Sequence, residues 1–472
     1  MPAARPRVLL VGAYERDNFG DLLFLLQTEQ YLPAEAEVVA GAPFGTDMTT
    51  LLDRRIVGYG PLLETGTFDH IWTVGGEVGG ADLRHAFRMC ASDEQLERWR
   101  SGEAAKAELI REHNGNIPID SPYLPRPSAY PKNLATPTTI NSVGFTGVSR
   151  LPAHRQQVLL DISRSADRIS VRDETSSEWL TSKGIAHTVA PDLVHTIART
   201  RPRQGPRDES LALVQLSQPE IKRRGVEAFA EAIARSEQLA RYRIRFFLAG
   251  TAPGHDSVEV YEELIKQVRR IAPKLQMEIS DRRRPYDLVD EIASAGLWVG
   301  LSLHGRIISG AYGVPRVSFT KRKVDAYAAT WDPAMPYAVT PDRLDDAISE
   351  ALSPSVQTAA NVGDDLAAEA ERNILDAVSG LASGDAPARV RRRLESLESW
   401  RRWLAEQHTA DRARIERLSK AAQSASATPA PPAAEPAPTA PKPVPYLQEV
   451  KRVARRGAAG ALRRVRKFRR PR

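Results

Sequence analysis

The sequence predicts an α/β fold with two Rossmann-like halves, each built on a parallel sheet. Two observations support this fold class. Short, continuous apolar runs alternate with amphipathic helical stretches from residue 7 to about residue 350, and the alternation starts again after residues 200–209. Buried apolar strands that alternate with helices are typical of parallel sheets covered on both faces. A chain of 472 residues, 42% of them apolar, is long enough for two such cores.

The first half, residues 1–200, and the second half, residues 201–385, each contain a series of predicted strands. Those of the first half lie at residues 7–13, 36–42, 70–76, 138–147, 168–173 and 187–192. Those of the second half lie at residues 210–217, 242–250, 275–280, 296–301 and 315–319. Helices are predicted between them at residues 21–31, 153–166, 225–239, 258–272 and 285–295, and from about Arg306. Residues 81–135 do not fit the alternation and predict a helical, proline-rich insertion.

The chain changes character after the second half. Residues 364–379 predict an amphipathic helix on the core, residues 386–423 a long charged helix, and the Pro/Ala-rich residues 424–445 a disordered linker. Several apolar residues of the long helix share one heptad seam: Val390, Leu394, Leu397, Leu404, Ile415 and Leu418. Polar residues interrupt the seam. A coiled coil that forms a homo-oligomer and a single helix docked by its tryptophans both remain open.

Charge is concentrated at the C-terminus. Residues 446–472 hold 11 Lys and Arg and one Glu, or +10, so the remaining 55 basic and 58 acidic residues give −3. A nearly neutral body argues against specific nucleic-acid binding. The basic residues 446–472 can form an amphipathic helix, which predicts contact with an anionic membrane surface; a solvated basic tail is the alternative.

The lone cysteine, Cys90, excludes a disulfide within the chain and indicates a reducing compartment. No apolar run approaches the roughly 20 residues of a membrane span, and the short run at residues 8–13 predicts a strand rather than a signal peptide. We therefore expect a cytoplasmic protein, with the basic C-terminal residues as a possible peripheral attachment to the inner face of the membrane.

Two glycine-bearing turns follow strands of the first half. The first contains Asn18, Gly20 and Asp21, which can bind a ligand hydroxyl or form a turn that caps the next helix. The second contains Gly75 and Gly76 and implies close approach of the backbone to a ligand or to a neighbouring loop. Neither turn has the GxGxxG pattern of dinucleotide-binding folds.

Two further turns carry charged side chains at predicted strand ends. Arg172 lies at the carboxyl end of the strand predicted at 168–173, and its guanidinium can hold a phosphate or carboxylate with two hydrogen bonds. Alternatively, Arg172 pairs with Asp173 at the surface, and Asp173 caps the next helix. His304 and Arg306 follow the strand at 296–301, beside the positive end of a helix. This position favours a functional histidine over a structural one.

Together these motifs resemble the polysaccharide pyruvyl transferase family over about residues 7–345. The motifs are, in order, Asn18-Phe19-Gly20-Asp21; Gly75, Gly76, Gly79 and Gly80; Ser170, Arg172, Asp173 and Ser176; Asp192; Leu303 to Ile307; Gly313 to Val317; and Lys323. The sequence departs from the family pattern at Ser302, where an arginine is usual.

The resemblance implies a GT-B-like fold, in which two Rossmann-like domains face a cleft. It also implies transfer of pyruvate from phosphoenolpyruvate to two hydroxyls of a cell-surface or exopolysaccharide sugar, giving a ketal. The partners would be phosphoenolpyruvate and a glycan or lipid-linked sugar, with no metal and no further cofactor. Arg172 and Arg306 would hold the donor anion, and His304, with a pKa near 7, would protonate the donor's methylene carbon.

Other family positions imply supporting roles. Asp21 or Asp192 would accept the proton of the sugar hydroxyl, and Asn18, Gly20, Gly75, Gly76 and Lys323 would contribute to substrate binding. Two alternatives remain. A nucleotide-sugar glycosyltransferase could place a pyrophosphate at His304 and Arg306, and an inactive scaffold could use the long helix and linker to recruit partners.

Overall fold

The computed structural model describes residues 5–114, 121–359, 361–380 and 385–426. Most of the predicted linker and all of the basic residues 446–472 lie outside the described residues. By its internal contacts the chain divides into two units, residues 1–403 and 404–472. Both sheets lie in the first unit. The boundaries predicted at residues 200 and 385 stay predictions.

The first sheet has eight strands within the described part of the chain, in the order β3-β4-β2-β1-β5-β6-β7-β8. The strands are β1 (Arg7–Val11), β2 (Glu37–Ala42), β3 (Thr46–Asp47), β4 (Arg55–Gly58), β5 (His70–Thr73), β6 (Thr138–Val143), β7 (Arg168–Val171) and β8 (Thr188–Val189). Neighbouring strands are parallel except for the antiparallel pair β3–β4. Every predicted strand of the first half is confirmed. The sequence missed β3 and β4, which are short and lack a continuous apolar run.

The second sheet is entirely parallel, in the order β11-β10-β9-β12-β13. Its strands are β9 (Asp208–Gln215), β10 (Arg243–Phe246), β11 (Met277–Ile279), β12 (Ala295–Gly300) and β13 (Arg316–Ser318). All five strands predicted for the second half are confirmed. The strand β12, which lies between β9 and β13, is buried along its whole length, as expected for a strand covered by helices on both faces.

Helices cover both sheets. In the first half they are α1 (Phe19–Tyr31), α2 (Thr49–Leu52), α3 (Tyr59–Thr65), α4 (Leu83–Cys90), α5 (Asp93–Arg100), α6 (Glu103–Asn114), α7 (Ala153–Ser165), α8 (Glu174–Ser182) and α9 (Ile197–Thr200). In the second half they are α10 (Gln218–Arg224), α11 (Val226–Arg235), α12 (Val258–Ile271), α13 (Pro285–Ser294), α14 (Leu303–Ala311), α15 (Arg322–Trp331), α16 (Leu344–Ala351), α17 (Pro354–Ala359) and α18 (Gly363–Ser379). The long C-terminal helix is α19 (Ala386–Ser426). The helix α14 begins three residues before the predicted start at Arg306.

The predicted insertion is part of the core of the first half. Its helices α4, α5 and α6 contribute Phe87, Trp99 and Leu109, respectively, to an apolar cluster that also contains Val143 of β6. Tyr123 is completely buried in the same cluster. The rings of Phe87 and Trp99 stack at 4.7 Å. Because these side chains pack in one cluster with β6, the described residues between 81 and 135 help to build the domain.

The carboxyl edges of the two sheets face each other. The amide of Phe19, at the start of α1, donates to the carbonyl of Ala249 beyond β10 at 2.9 Å. The Asp17 carboxylate accepts hydrogen bonds from the amide and the hydroxyl of Thr251. One apolar cluster combines side chains of both halves and of α18. The predicted GT-B-like arrangement of two parallel-sheet halves followed by helices is confirmed.

The first part of α19 docks on the first half. Arg389 and Arg393 pair with Asp167, and the ring of Trp400 lies under the guanidinium of Arg126 at 5.4 Å. Farther along α19, Ile415 and Leu418 are exposed. Self-association through this helix stays a prediction. No helix among the described residues is long and apolar enough to span a membrane.

Candidate active site

The turn between β1 and α1 fixes the carboxylate of Asp21. The Asn18 amide donates to Asp21 Oδ2 at 2.7 Å, and Arg16 donates to the same oxygen from Nε and Nη2 at 3.2 and 3.0 Å. The Asn18 side chain makes no capping hydrogen bond, so its role is to hold Asp21. Burial alone would raise the pKa of Asp21, but the charges of Arg16, His304 and Lys323 hold it below its ordinary value. Asp21 is therefore ionised at neutral pH.

Three buried side chains that the sequence did not single out support this turn. The Tyr123 hydroxyl donates to Glu15, and Arg16 Nη1 donates to Tyr123 at 3.3 Å. Burial, opposed by the charge of Arg16, raises the pKa of Glu15 to about 6. The insertion thus reaches the site through Tyr123. No spacing in the sequence connects Tyr123 with Glu15, because more than 100 residues separate them.

The glycines after β5 approach α1 closely. Gly75 has φ +134°, and a Cβ there would lie 2.4 Å from the ring of Phe24. Gly76 has φ +95°, and its Cβ would lie 3.3 Å from Asp21 Oδ1. Both backbone conformations favour glycine. The space beside Gly75 is filled by Phe24, whereas Gly76 borders the Asp21 carboxylate, so only Gly76 is positioned as predicted for a substrate-binding backbone.

Arg172 lies at the centre of a buried ion-pair network at the end of β7. Its Nη1 donates to Asp192 Oδ2 at 3.0 Å and its Nη2 to Glu77 Oε2 at 3.2 Å. The alternative of a surface pair with Asp173 does not hold, because Arg172 is only 2% exposed and its hydrogen bonds go to Asp192 and Glu77. The cap that this alternative also included is present, since Asp173 accepts a hydrogen bond from the amide of Ser176 at the start of α8 at 2.8 Å. Glu77 is a member of the site that sequence reasoning missed. Arg172 supplies a fixed positive charge and orients both carboxylates.

His304 brings the second half into the same site. It is the second residue of α14, whose N-cap Ser302 accepts a hydrogen bond from the amide of Gly305 at 3.2 Å. His304 Nε2 lies 3.8 Å from Asp192 Oδ2 and has no hydrogen-bond partner among the described residues. The other edge of the ring lies against Gly20, where a Cβ would be only 1.8 Å from Nδ1. A side chain at position 20 and His304 cannot occupy these places together.

The protonation of His304 differs from the sequence prediction. Burial lowers its pKa to about 4; Arg172 and Lys323 act in the same direction, while Asp192 and Asp21 oppose them. The predicted pKa near 7 therefore does not apply to the protein without a ligand, in which the imidazole is neutral at pH 7. A bound anion would raise the pKa, because negative charge stabilises the imidazolium.

Lys323 supplies a second positive charge. Lys323 is half-buried on the first turn of α15, and its ammonium forms no hydrogen bond or ion pair with another described residue. Burial lowers its pKa to about 8, assisted by Lys321 and Arg172 and opposed by Asp21 and Glu77. The ammonium is therefore mostly charged at pH 7 and is not neutralised by a carboxylate in hydrogen-bond contact. Such a group is suited to hold an anionic ligand.

Arg306 does not reach this cluster. Its Nη1 donates to Ser318 Oγ and to the carbonyl of Pro336, and its Nη2 donates to the carbonyls of Asp332 and Met335, at 2.8–3.1 Å. Its Nε pairs with the Asp332 carboxylate at 2.8 Å. The side chain is 1% exposed. The structure thus gives Arg306 a structural role, and the predicted contact with a substrate has no support in this arrangement.

The site therefore combines most of the predicted residues from both halves. Asn18, Gly20, Gly76, Asp21, Arg172 and Asp192 come from the first half, and His304 and Lys323 come from the second. With Glu77, the cluster has three carboxylates, the two cations Arg172 and Lys323, and a neutral imidazole at the meeting sheet edges. It can bind an anion, deliver a proton from nitrogen and accept a proton on oxygen.

The family model described as polysaccharide pyruvyl transferase matches residues 111–320. This range contains Arg172, Asp192 and His304, so the resemblance inferred from the motifs is confirmed there. The range begins after the turn that holds Asp21 and ends before Lys323. A comparison with curated proteins gives no match.

Solved structures that resemble the chain include two epimerases. One is a putative UDP-N-acetylglucosamine 2-epimerase from Listeria monocytogenes, with 14% identity, coverage of 81% of this chain and 98% of that chain, and a TM-score of 0.49. Another is UDP-GlcNAc 2-epimerase from Neisseria meningitidis bound to UDP-GlcNAc, with 11% identity, coverage of 79% and 98%, and a TM-score of 0.44. At these identities and TM-scores, neither likeness bears on what this chain does.

Proposed function

We propose that the protein is a phosphoenolpyruvate-dependent pyruvyl transferase that forms a cyclic ketal on two hydroxyls of a glycan or lipid-linked sugar. The observation that carries this proposal is the position of His304 between Asp192, Asp21, Arg172 and Lys323. The family match over residues 111–320 supports it.

The donor is a small molecule with a phosphate and a carboxylate, and the site offers positive charge for it. Lys323 lacks a carboxylate in hydrogen-bond contact and is the more direct ligand. Arg172 keeps its pairs with Asp192 and Glu77 and adds positive charge behind them. In a buried site such fixed charges act more strongly on an anion than they do in water.

His304 is the proposed general acid. When the donor anion binds, its negative charge raises the pKa of His304 from about 4, so that the imidazolium becomes available. Its Nε2, which has no hydrogen-bond partner in the described residues, then gives its proton to the methylene carbon of the donor. This step leaves positive charge on the adjacent carbon, which becomes open to attack by a hydroxyl.

The carboxylates take up the protons that the acceptor loses. The first sugar hydroxyl adds to the activated carbon and gives its proton to Asp192 or Asp21. Departure of phosphate with the carbon–oxygen bond electrons regenerates the electrophilic carbon, and the second hydroxyl closes the ketal. Asp21 remains ionised at neutral pH because of its neighbouring cations, which suits a proton acceptor that returns its proton to solvent.

The test is release of phosphate from phosphoenolpyruvate by the full chain in the presence of free or lipid-linked glycans. We expect His304→Ala to lower the rate by about 10²–10⁴-fold, the usual contribution of a positioned acid. His187→Gln is the control, since His187 bonds Ser177 and the carbonyl of Ile185 outside the site. Full activity of His304→Ala contradicts the assignment.

The glycosyltransferase alternative loses one of its observations. It required His304 and Arg306 together at the start of α14, and Arg306 bonds backbone carbonyls instead. Thermal shifts measured with phosphoenolpyruvate, UDP, GDP and their sugars separate the two functions. Stabilisation by nucleotides alone contradicts the pyruvyl transferase proposal, and stabilisation by none of them favours the inactive scaffold.

We also propose that the basic residues 446–472 hold the enzyme at an anionic membrane surface, where a lipid-linked acceptor would be present. This proposal rests on their 11 Lys and Arg residues, each of which contributes about 1 kcal/mol near such a surface. The full chain should co-sediment with anionic but not with neutral liposomes. Equal binding after deletion of residues 446–472 contradicts it.

A further inference from the structure

One face of α15 reaches from the second half to the candidate site. Lys323, Tyr327 and Trp331 are four residues apart and therefore share this face. Lys323 lies near Asp21 and Glu77, as their effect on its pKa shows. The Trp331 indole donates to the carbonyl of Arg172 at 2.8 Å. Tyr327 lies between these two side chains.

The Tyr327 hydroxyl bridges two residues of the first half. It accepts a hydrogen bond from the backbone amide of Asp192 at 2.9 Å and lies 3.0 Å from His195 Nε2. The rings of Tyr327 and His195 stack with an interplanar angle of 18°. Burial lowers the pKa of His195 to about 4, so His195 is neutral at pH 7. The hydroxyl therefore donates to Nε2 while it accepts from the Asp192 amide, and the imidazole proton is on Nδ1.

Three hydrogen bonds hold Asp192 in place. Its backbone amide is bound to Tyr327, its Oδ1 accepts from the amide of Val194 at 3.0 Å, and its Oδ2 accepts from Arg172. The same Oδ2 is the carboxylate oxygen that faces His304 Nε2 at 3.8 Å. Only the bond from Tyr327 comes from the second half, which also carries His304.

We propose that Tyr327 is a positioning residue, which holds the Asp192 carboxylate opposite His304. Tyr327 and His304 both belong to the second half, whereas Asp192 belongs to the first. The proposal rests on the proposed function for its effect on turnover. Its structural part concerns the proximity of Asp192 and His304, which can be measured without any reaction. Because the Tyr327 hydroxyl is engaged by the Asp192 amide and by His195 Nε2, its loss should affect turnover rather than donor binding.

The variant Tyr327→Phe removes only the hydroxyl. A misplacement of about 1 Å can lower a rate by about 100-fold, and Asp192 keeps its bonds to Arg172 and Val194. We therefore expect a smaller, roughly tenfold fall in kcat, while the KM for phosphoenolpyruvate stays within about twofold. Tyr261→Phe is the matched control. Like the Tyr327 hydroxyl, the Tyr261 hydroxyl accepts from a backbone amide, that of Leu216, and it donates to the carbonyl of Phe247, both at 2.9 Å. It lies in the core of the second half.

A second measurement is independent of turnover. NMR titration of the full chain, with isotope-labelled histidines, gives the pKa of His304. The charged groups that act on this imidazole are Asp192, Asp21, Arg172 and Lys323. In Tyr327→Phe, withdrawal of the Asp192 charge should lower this pKa further, and Tyr261→Phe should leave it unchanged. An unchanged pKa in Tyr327→Phe, or the same shift in both variants, overturns the positioning role. If the two variants show this difference but the wild-type protein releases no phosphate from phosphoenolpyruvate, the proposed function alone is contradicted.

Discussion

Arg172 and Arg306 each follow a buried strand at the carboxyl edge of a parallel sheet, and both are almost completely buried. Arg172 is the first residue after β7, before α8 begins, and pairs with Asp192 and Glu77 at the candidate site. Arg306 is already the fourth residue of α14 and points to the carbonyls around Asp332. A residue that follows a strand end therefore lies near the carboxyl edge of the sheet. Its position relative to the following helix decides whether its side chain points into the site or into the core.

Two separate variants, Arg172→Met and Arg306→Met, sharpen this comparison and have the largest expected effect. Arg172→Met should lower phosphate release by more than about 100-fold, because two site carboxylates lose their cation. Arg306→Met should lower the free energy of unfolding by about 3 kcal/mol, because it breaks a buried ion-pair network, without a comparable loss of activity per folded molecule. Arg172→Met also breaks buried pairs, so the loss of activity, and not the loss of stability, separates the two variants. Turnover and chemical denaturation of both variants provide the measurement.

The control for this pair is activity per folded molecule. Arg306→Met should retain most of its activity and its KM for phosphoenolpyruvate. If folded Arg306→Met loses as much activity as Arg172→Met, the division between a site arginine and a structural arginine is wrong.

Gly20 and Gly80 provide a second comparison with an intermediate effect. A Cβ at Gly20 would overlap the His304 ring, whereas a Cβ at Gly80 would meet Val148 at an ordinary 3.7 Å. Gly20→Ala should therefore displace His304 and lower kcat by about 100-fold. Gly80→Ala should behave like the wild type in the same assay. Equal kcat values would mean that the contact between the two halves is not needed for activity.

The pH dependence of donor binding distinguishes Lys323 from Arg172 and has the smallest expected effect. The pKa of Lys323 is lowered to about 8, so its charge is present below pH 8 and is lost as the pH rises above it. Arg172 remains charged throughout this range. The KM for phosphoenolpyruvate should therefore rise above about pH 8. In Lys323→Arg the rise should be absent; the same rise in both proteins assigns it to another group.

Much of the fold could be predicted from the sequence because the central strands are continuous apolar runs. The strands β3 and β4 were missed since a two-residue strand and the half-exposed RIVG segment have no such signal. The turns that carry Asp21, Arg172 and His304 could be found because each directly follows a strand. Glu77, Tyr123 and Tyr327 could not, since they join the site only through contacts across 95 or more residues.

The most direct test of the account is a structure of the full chain with phosphoenolpyruvate bound. We expect an anionic group of the donor within hydrogen-bond distance of Lys323, about 3 Å, and the methylene carbon opposite His304 Nε2, with Asp192 beside it. A donor bound away from His304, or held by Arg306 in place of Lys323, contradicts the central claim that the two sheet edges together form the pyruvyl-transfer site.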